Sequence, residues 1–125
     1  METTVLIADD HPLFREALRL VVAEALGPAA ITLECASLHE AREQVELHPG
    51  IELALMDLNM PGMNGIEFIK EVRKLAPYRF MPILFQTTES QQSKRLEAKA
   101  AGASGWLVKP VTATDLLNTI KLVMR

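Results

Sequence analysis

The stretch Ala54-Leu55-Met56-Asp57-Leu58-Asn59-Met60-Pro61-Gly62-Met63-Asn64-Gly65 decides how this chain is read. An apolar run delivers one carboxylate, Asp57, and the chain then breaks at a proline and two glycines. That is the pattern of a strand buried on both sides whose last residue reaches the mouth of a sheet. A carboxylate is costly to keep there unless a charge of opposite sign meets it. The partner must come from elsewhere in the chain.

Outward from Asp57, strand-like and helix-like segments alternate. Val5-Leu6-Ile7-Ala8 is a continuous apolar run ending at Asp9-Asp10. Asp10 and Pro12 then predict a helix start, with Asp10 as cap and the proline in the first turn. Leu13, Ala17, Leu20 and Val21 are expected on its inner face, and Gly27-Pro28 stops it. Ile31 to Ala36 reads as a second strand. Ser37 and Glu40 form a capping box for a helix that turns Leu38, Ala41 and Val45 inward. Ile51 to Met56 is the third strand. Gly65 opens a helix with Ile66, Ile69 and Val72 inside, ending before Pro77. Pro82 to Gln86 is a fourth strand, reaching Thr87. A helix over 90–101 turns Leu96, its one large apolar residue, and small alanines inward, so it is expected to bury little area and to move cheaply. Gly105 to Val108 is a fifth strand, ending at Lys109. Thr112 and Asp115 cap a last helix that turns Leu116, Leu117, Ile120 and Val123 inward. Strands of this kind alternating with helices predict a parallel sheet covered on both faces, a three-layer α/β sandwich with right-handed crossovers.

The 125 residues fit one domain spanning 1–125, and a composition 49% apolar and 23% charged is that of a soluble globular protein. There is no run long enough to span a membrane, and no basic leader precedes the first apolar segment. Cys35 is the only cysteine, which suits a reducing, cytoplasmic setting. A net charge of −3 argues against bulk attraction to nucleic acid. His11, His39 and His48 share no ligand spacing and read as surface or cap residues. Met56, Met60 and Met63 read as packing. Lys94, Arg95 and Lys99 form a solvated or partner-facing basic run.

In an open α/β sheet, ligands bind outside the carboxyl ends of the strands. The first, third, fourth and fifth strands here end in Asp9 and Asp10, Asp57, Thr87 and Lys109. Singly, each has a plain structural use, as a cap, a strand-end hydroxyl or a surface cation. Gathered at one sheet edge they make a site. Three crowded carboxylates repel one another, and a hard divalent cation such as Mg²⁺ relieves them. Mg²⁺ takes only one or two carboxylates, which leaves Asp57 free as a nucleophile towards a phosphoryl group. Lys109 would neutralise that group, and the Thr87 hydroxyl would donate to it.

These same residues carry a family resemblance over the whole chain. Asp9-Asp10, Asp57 with Met60-Pro61-Gly62-Met63-Asn64-Gly65, Thr87, and Gly102-Ala103-Ser104-Gly105-Trp106-Leu107-Val108-Lys109-Pro110 resemble bacterial response-regulator receiver domains. The segment 102–112 is most similar to single-domain chemotaxis regulators of the CheY type. The segment Asp9 to Leu18 resembles instead receivers that precede a helix-turn-helix DNA-binding domain. The resemblance implies a flavodoxin-like strand order 2-1-3-4-5 and phosphorylation of Asp57 by a histidine kinase or phosphotransfer domain. It implies Mg²⁺ on Asp10, Asp57 and the backbone carbonyl of Asn59, with Asp9 acting through water. Thr87 and Trp106 become a switch pair, and Asn59, Thr88 and Glu89 tune rates. Thr88 is larger than the residue usual there and narrows donor access. The Lys109–Pro110 bond would be cis.

The resulting expectation is a non-enzymatic switch, monomeric or dimerising on activation. Its output runs through a protein target on the fourth helix, fifth strand and fifth helix, because Arg125 closely follows the last helix. Two rivals remain, a receiver cut from a DNA-binding regulator and an Mg²⁺-dependent phosphatase with an aspartyl nucleophile. The phosphatase resembling the haloacid-dehalogenase family would need an acid two residues after Asp57, where this chain has Asn59. A nucleotide or flavin module would need a glycine-rich loop after the first strand, which is absent here.

Overall fold

Alternate residues along a strand face opposite sides of a sheet, and here both sides are apolar. The computed structural model describes residues 3–58, 65–87, 92–109 and 111–124, without the side chains of residues 92 and 93. Asn59, Met60, Met63, Thr88, Glu89 and the Lys109–Pro110 bond lie outside the described residues. Five strands, β1 (Thr4–Ala8), β2 (Ile31–Cys35), β3 (Ile51–Asp57), β4 (Ile83–Thr87) and β5 (Gly105–Val108), pair in parallel in the order β2-β1-β3-β4-β5. Between them run α1 (Pro12–Leu26), α2 (Leu38–Leu47), α3 (Gly65–Arg73) and α4 (Gln92–Ala101), with α5 (Ala113–Val123) closing the chain.

The helices divide between the two faces by the strands' own periodicity. Leu6, Ala8, Ala54, Met56, Ile83 and Phe85 pack with α2, α3 and α4, through Leu38, Ala41, Val45, Phe68, Ile69, Val72 and Ala98. Val5, Ile7, Leu53, Leu55 and Leu84 pack with α1 and α5, through Leu18, Val22, Leu116 and Ile120. The capping of α2 and α5 is as read from sequence, with Ser37 and Thr112 accepting from the backbone N–H of Glu40 and Asp115.

Three expectations need correcting. Leu13, Ala17 and Leu20 do not face the core; Leu13 is 87% exposed and Leu20 58% exposed. The inner face is Phe14, Leu18, Val21 and Val22. Helix α1 has apolar residues on more than one stripe, so spacing alone permits two faces, and docking on β1 selects one. Asp10 does not cap α1, because His11 is the N-cap residue and no side chain caps it. Asp9 instead accepts the His11 backbone N–H at 2.8 Å. Leu96 is 74% exposed, and α4 turns Ala98 and Ala101 inward. The helix is thus even less anchored than expected, since methyl groups bury little area.

Arg73 fastens the far end of α4. Its guanidinium donates to the carbonyl oxygens of Gly102 (2.6 Å), Tyr78 (2.8 Å) and Met81 (2.5 Å). Burial lowers its pKa, and these carbonyls replace the water it has lost. Gly102 holds φ at +118°, and a Cβ there would meet Arg73 Nε at 2.9 Å, so both backbone and space require glycine. Arg73→Ala leaves three carbonyls without their charged donor. It should lower unfolding free energy by about 2–4 kcal/mol, read from urea denaturation with an unchanged m-value. Cys35 is buried in β2, where desolvation first, and then the Glu40 carboxylate, push its thiol pKa up to about 12. The thiolate is therefore scarce at pH 8. Alkylation of the native protein should be slow at that pH and become fast in denaturant.

Candidate functional site

The strand ends bring the charged residues to one edge and to one face. Asp9 continues the row of Val5 and Ile7, Asp57 that of Leu53 and Leu55, and Lys109 that of Leu107. All three therefore stand on the α1/α5 side at the carboxyl ends of their strands. Asp9 and Asp57 are 1% and 4% exposed. The Lys109 ammonium reaches both, 3.1 Å from Asp9 Oδ2 and 3.0 Å from Asp57 Oδ2. The charge that must meet Asp57 comes from the opposite end of the sequence.

Several further groups hold this cluster in place. Lys109 N–H donates to the Thr87 carbonyl at 2.7 Å, which fixes the base of the lysine. Its ammonium lies 4.2 Å from the centre of the Phe14 ring, a cation–π contact from α1. Arg15 Nη1 donates to the Asp9 carbonyl at 2.6 Å, and its Nε lies 3.6 Å from Glu34 Oε1. Neither Phe14 nor Arg15 stood out in the sequence. Their signal was position, one turn after a strand-end acid pair, and it becomes visible only once α1 folds over the sheet edge.

His11 is corrected by its surroundings. Its exposed ring does not merely cap a helix, because Nδ1 lies 3.1 Å from Asp9 Oδ1 and 3.0 Å from Asp10 Oδ1. His39 is a surface residue as expected, paired with Glu43 one turn on, and His48 ends α2. Ligand atoms of Asp9, Asp10, His11 and Asp57 all lie within 4.8 Å of one another. Asp10 Oδ1 is buried and, despite the nearby imidazole, has no directed hydrogen bond among the described residues. Such an atom is expensive unless a cation completes it. The donor set is carboxylate oxygen with one imidazole at the rim, and its oxygens fit a hard divalent ion such as Mg²⁺.

Thr87 and Trp106 stand on the other face. Thr87 continues the row of Ile83 and Phe85, and it is 1% exposed. Trp106 is half-buried and packs at the edge of the same core, its ring 6.2 Å from that of Phe85 and tilted by 31°. The two residues expected to form a switch pair thus share the α4 side. A cavity of about 190 Å³ opens there beside Arg95, Lys99, Ser104 and Trp106. On the α1 side, His11, Leu13, Phe14, Ala17 and Lys109 line a shallower apolar recess.

Comparison with known proteins agrees with this geometry. The family described as "Response regulator receiver domain" matches residues 5–121. The chain is 34% identical over 120 residues to the "Glycerol metabolism activator" of Pseudomonas putida, covering 96% of this chain but 53% of that protein. It is 29% identical to "Chemotaxis protein CheY1" of Helicobacter pylori, covering 96% of this chain and 95% of that one. The structure of chemotaxis response regulator CheY4 of Vibrio cholerae superposes with a TM-score of 0.88 at 35% identity, covering 99% and 100% of the two chains. This chain therefore spans about half of one relative and nearly all of others. The backbone likeness covers the whole sheet and its helices, and the chain belongs to the response-regulator receiver-domain family of two-component systems.

Proposed function

We propose that Asp57 is the phosphoacceptor of this receiver. The single observation carrying the reading is the Lys109 ammonium, which lies within hydrogen-bond distance of both Asp57 and Asp9 at the sheet edge. An Asp57 carboxylate oxygen attacks the phosphorus of a phosphohistidine on a histidine kinase or phosphotransfer domain. The new O–P bond forms as the P–N bond breaks, and the imidazole nitrogen keeps the electron pair and takes a proton from water. Lys109 neutralises the oxygens of the transferring group, and the Thr87 hydroxyl donates to one of them. Asp10, Asp57 and the Asn59 carbonyl would hold Mg²⁺, with Asp9 acting through water; when bound, the ion supplies positive charge to the phosphoryl oxygens. By the family resemblance, Asn59, Thr88 and Glu89 would tune loss of the phosphoryl group.

Output follows from what packs loosely. Thr87 drawn towards the phosphoryl group vacates space on the α4 side, and Trp106 moves towards it. Among the described side chains of α4, it is Ala98 and Ala101 that turn inward, so the helix yields at low cost. A partner protein reads the face of α4, β5 and α5. Residues 1–125 act as one receiver domain, in the cytoplasm, without external substrate. The stand-alone reading is supported by the near-complete coverage of the CheY proteins. The alternative, one domain of a larger regulator, is supported by the activator of which the chain matches 53%. Among the described residues no helix is long and apolar enough to cross a membrane.

The donor side has its own surface. Leu13, Ala17 and Leu20 form an exposed row at helical spacing, starting beside Lys109. Docking of a phosphohistidine-bearing helix there would cover them.

With Mg²⁺ and a small phosphoramidate donor, the protein should gain one phosphoryl group, detected by intact mass, and Asp57→Asn should gain none. Stoichiometric labelling of Asp57→Asn at any other residue would reject the assignment. Leu13→Glu should leave uptake from the small donor within about twofold of the parent, and slow transfer from a phosphohistidine protein about tenfold. Equal slowing with both donors would place the defect in the site rather than in docking.

A further inference from the structure

Gln86 is fully buried, and among the described residues neither Oε1 nor Nε2 of its carboxamide has a hydrogen-bond partner. Leaving a buried amide unmade is costly, and native structures rarely tolerate it without a use. Its position suggests the use. Gln86 is the register partner of Asp57 on one side and of Leu107 on the other. It continues the row of Leu84, so its side chain stands on the α1/α5 face, with Asp57, Asp9 and Lys109.

The strand order then places Gln86 beneath the lysine. Lys109 follows β5, yet its ammonium contacts Asp57 at the end of β3 and Asp9 just beyond β1. To get there the stem must pass over β4, and the last residue of β4 on that face is Gln86, after Leu84. Adjacent strands are about 4.8 Å apart, so the ammonium is stretched roughly two strand spacings from its own backbone. It touches Asp9 and Asp57, two members of the carboxylate cluster that fits a divalent cation. Two cations there repel each other in a poorly solvated site. When the metal enters, the ammonium must give up Asp9 and draw back along its own stem, which leads over β4.

We propose that Gln86 is a positioning residue for Lys109. Its Oε1 accepts the ammonium when a divalent cation takes the acid cluster, so the buried carboxamide is the acceptor held ready for the metal-loaded state. The inference rests on the proposed metal site, and it adds a residue of this chain through which metal and lysine are coupled. An ammonium offers three donors, so Gln86 can hold it while one N–H remains for Asp57 or for a phosphoryl oxygen.

The test is an NMR titration of the full chain with MgCl₂, following backbone shifts for affinity and the Lys109 side-chain ¹⁵N signal for its placement. Gln86→Met and Gln86→Leu remove both orphaned atoms while keeping an apolar side chain of similar bulk. Both should unfold at or above the parent's temperature without Mg²⁺, and bind Mg²⁺ about tenfold more weakly. In the parent the Lys109 signal should shift with Mg²⁺, and in the variants that shift should change. In a Lys109→Met background, Gln86→Met should no longer alter Mg²⁺ affinity. Unchanged affinity in both single variants, or an equal loss with and without Lys109, would overturn the role of Gln86 and leave the metal site standing. Failure of the parent to bind Mg²⁺ would instead remove the metal site and this inference together.

Discussion

Everything at the carboxyl edge of this sheet depends on one ammonium placed between two buried carboxylates. Removing either carboxylate from water is expensive, and attraction to a single lysine repays the cost only with good geometry and further hydrogen bonds. The fold supplies both. Lys109 is anchored at its backbone by Thr87 and covered by the Phe14 ring, while Asp9 is held through its carbonyl by Arg15 and through its carboxylate by His11. Helix α1 therefore does more than cover β1. Its first turn carries the groups that make the acid cluster tolerable, which explains why this helix begins immediately after the strand.

The period of the strand separates two tasks. Odd and even positions at the ends of β3, β4 and β5 send charge to the α1/α5 face and send Thr87 and Trp106 to the α4 face. In the proposed function, chemistry occurs on one side of the sheet and its consequence appears on the other. Thr87 serves both sides, because its carbonyl fixes Lys109 and its side chain belongs to the α4 core. The light packing of α4 fits that division. Helices α1 and α5 bury leucine, valine and isoleucine, whereas α4 buries alanine and is fastened at its far end by Arg73.

Much of this was legible beforehand, for identifiable reasons. Strands buried on both faces are short and nearly uninterrupted in apolar residues, and their ends were marked by Asp57, Thr87 and Lys109. Caps are local, so Ser37 and Thr112 were readable. The misreadings share a different cause. Leu13, Ala17 and Leu20 form as good a helical stripe as Phe14, Leu18 and Val21, and no local rule prefers one. Leu96 reads as inward because it is the largest apolar residue of α4, but Ala98 and Ala101 are the side chains that meet the core. His11 lacked any ligand spacing because its partners come from the preceding two residues in a turn rather than from a helix face.

By itself the sequence determined the α/β class, the alternation of five strands with five helices, and the residue types gathered at the carboxyl edge. Each of these follows from periodicity, from caps and breakers, and from the rule that parallel strands point their ends the same way. Tertiary structure alone decided which stripe of α1 is buried, that one lysine serves two acids, and that the Gln86 carboxamide is buried beside Asp57 with no partner among the described residues. Those facts depend on which strands are neighbours and on which side chains must cross them. That information resides in contacts between residues a hundred positions apart, where no local pattern records it.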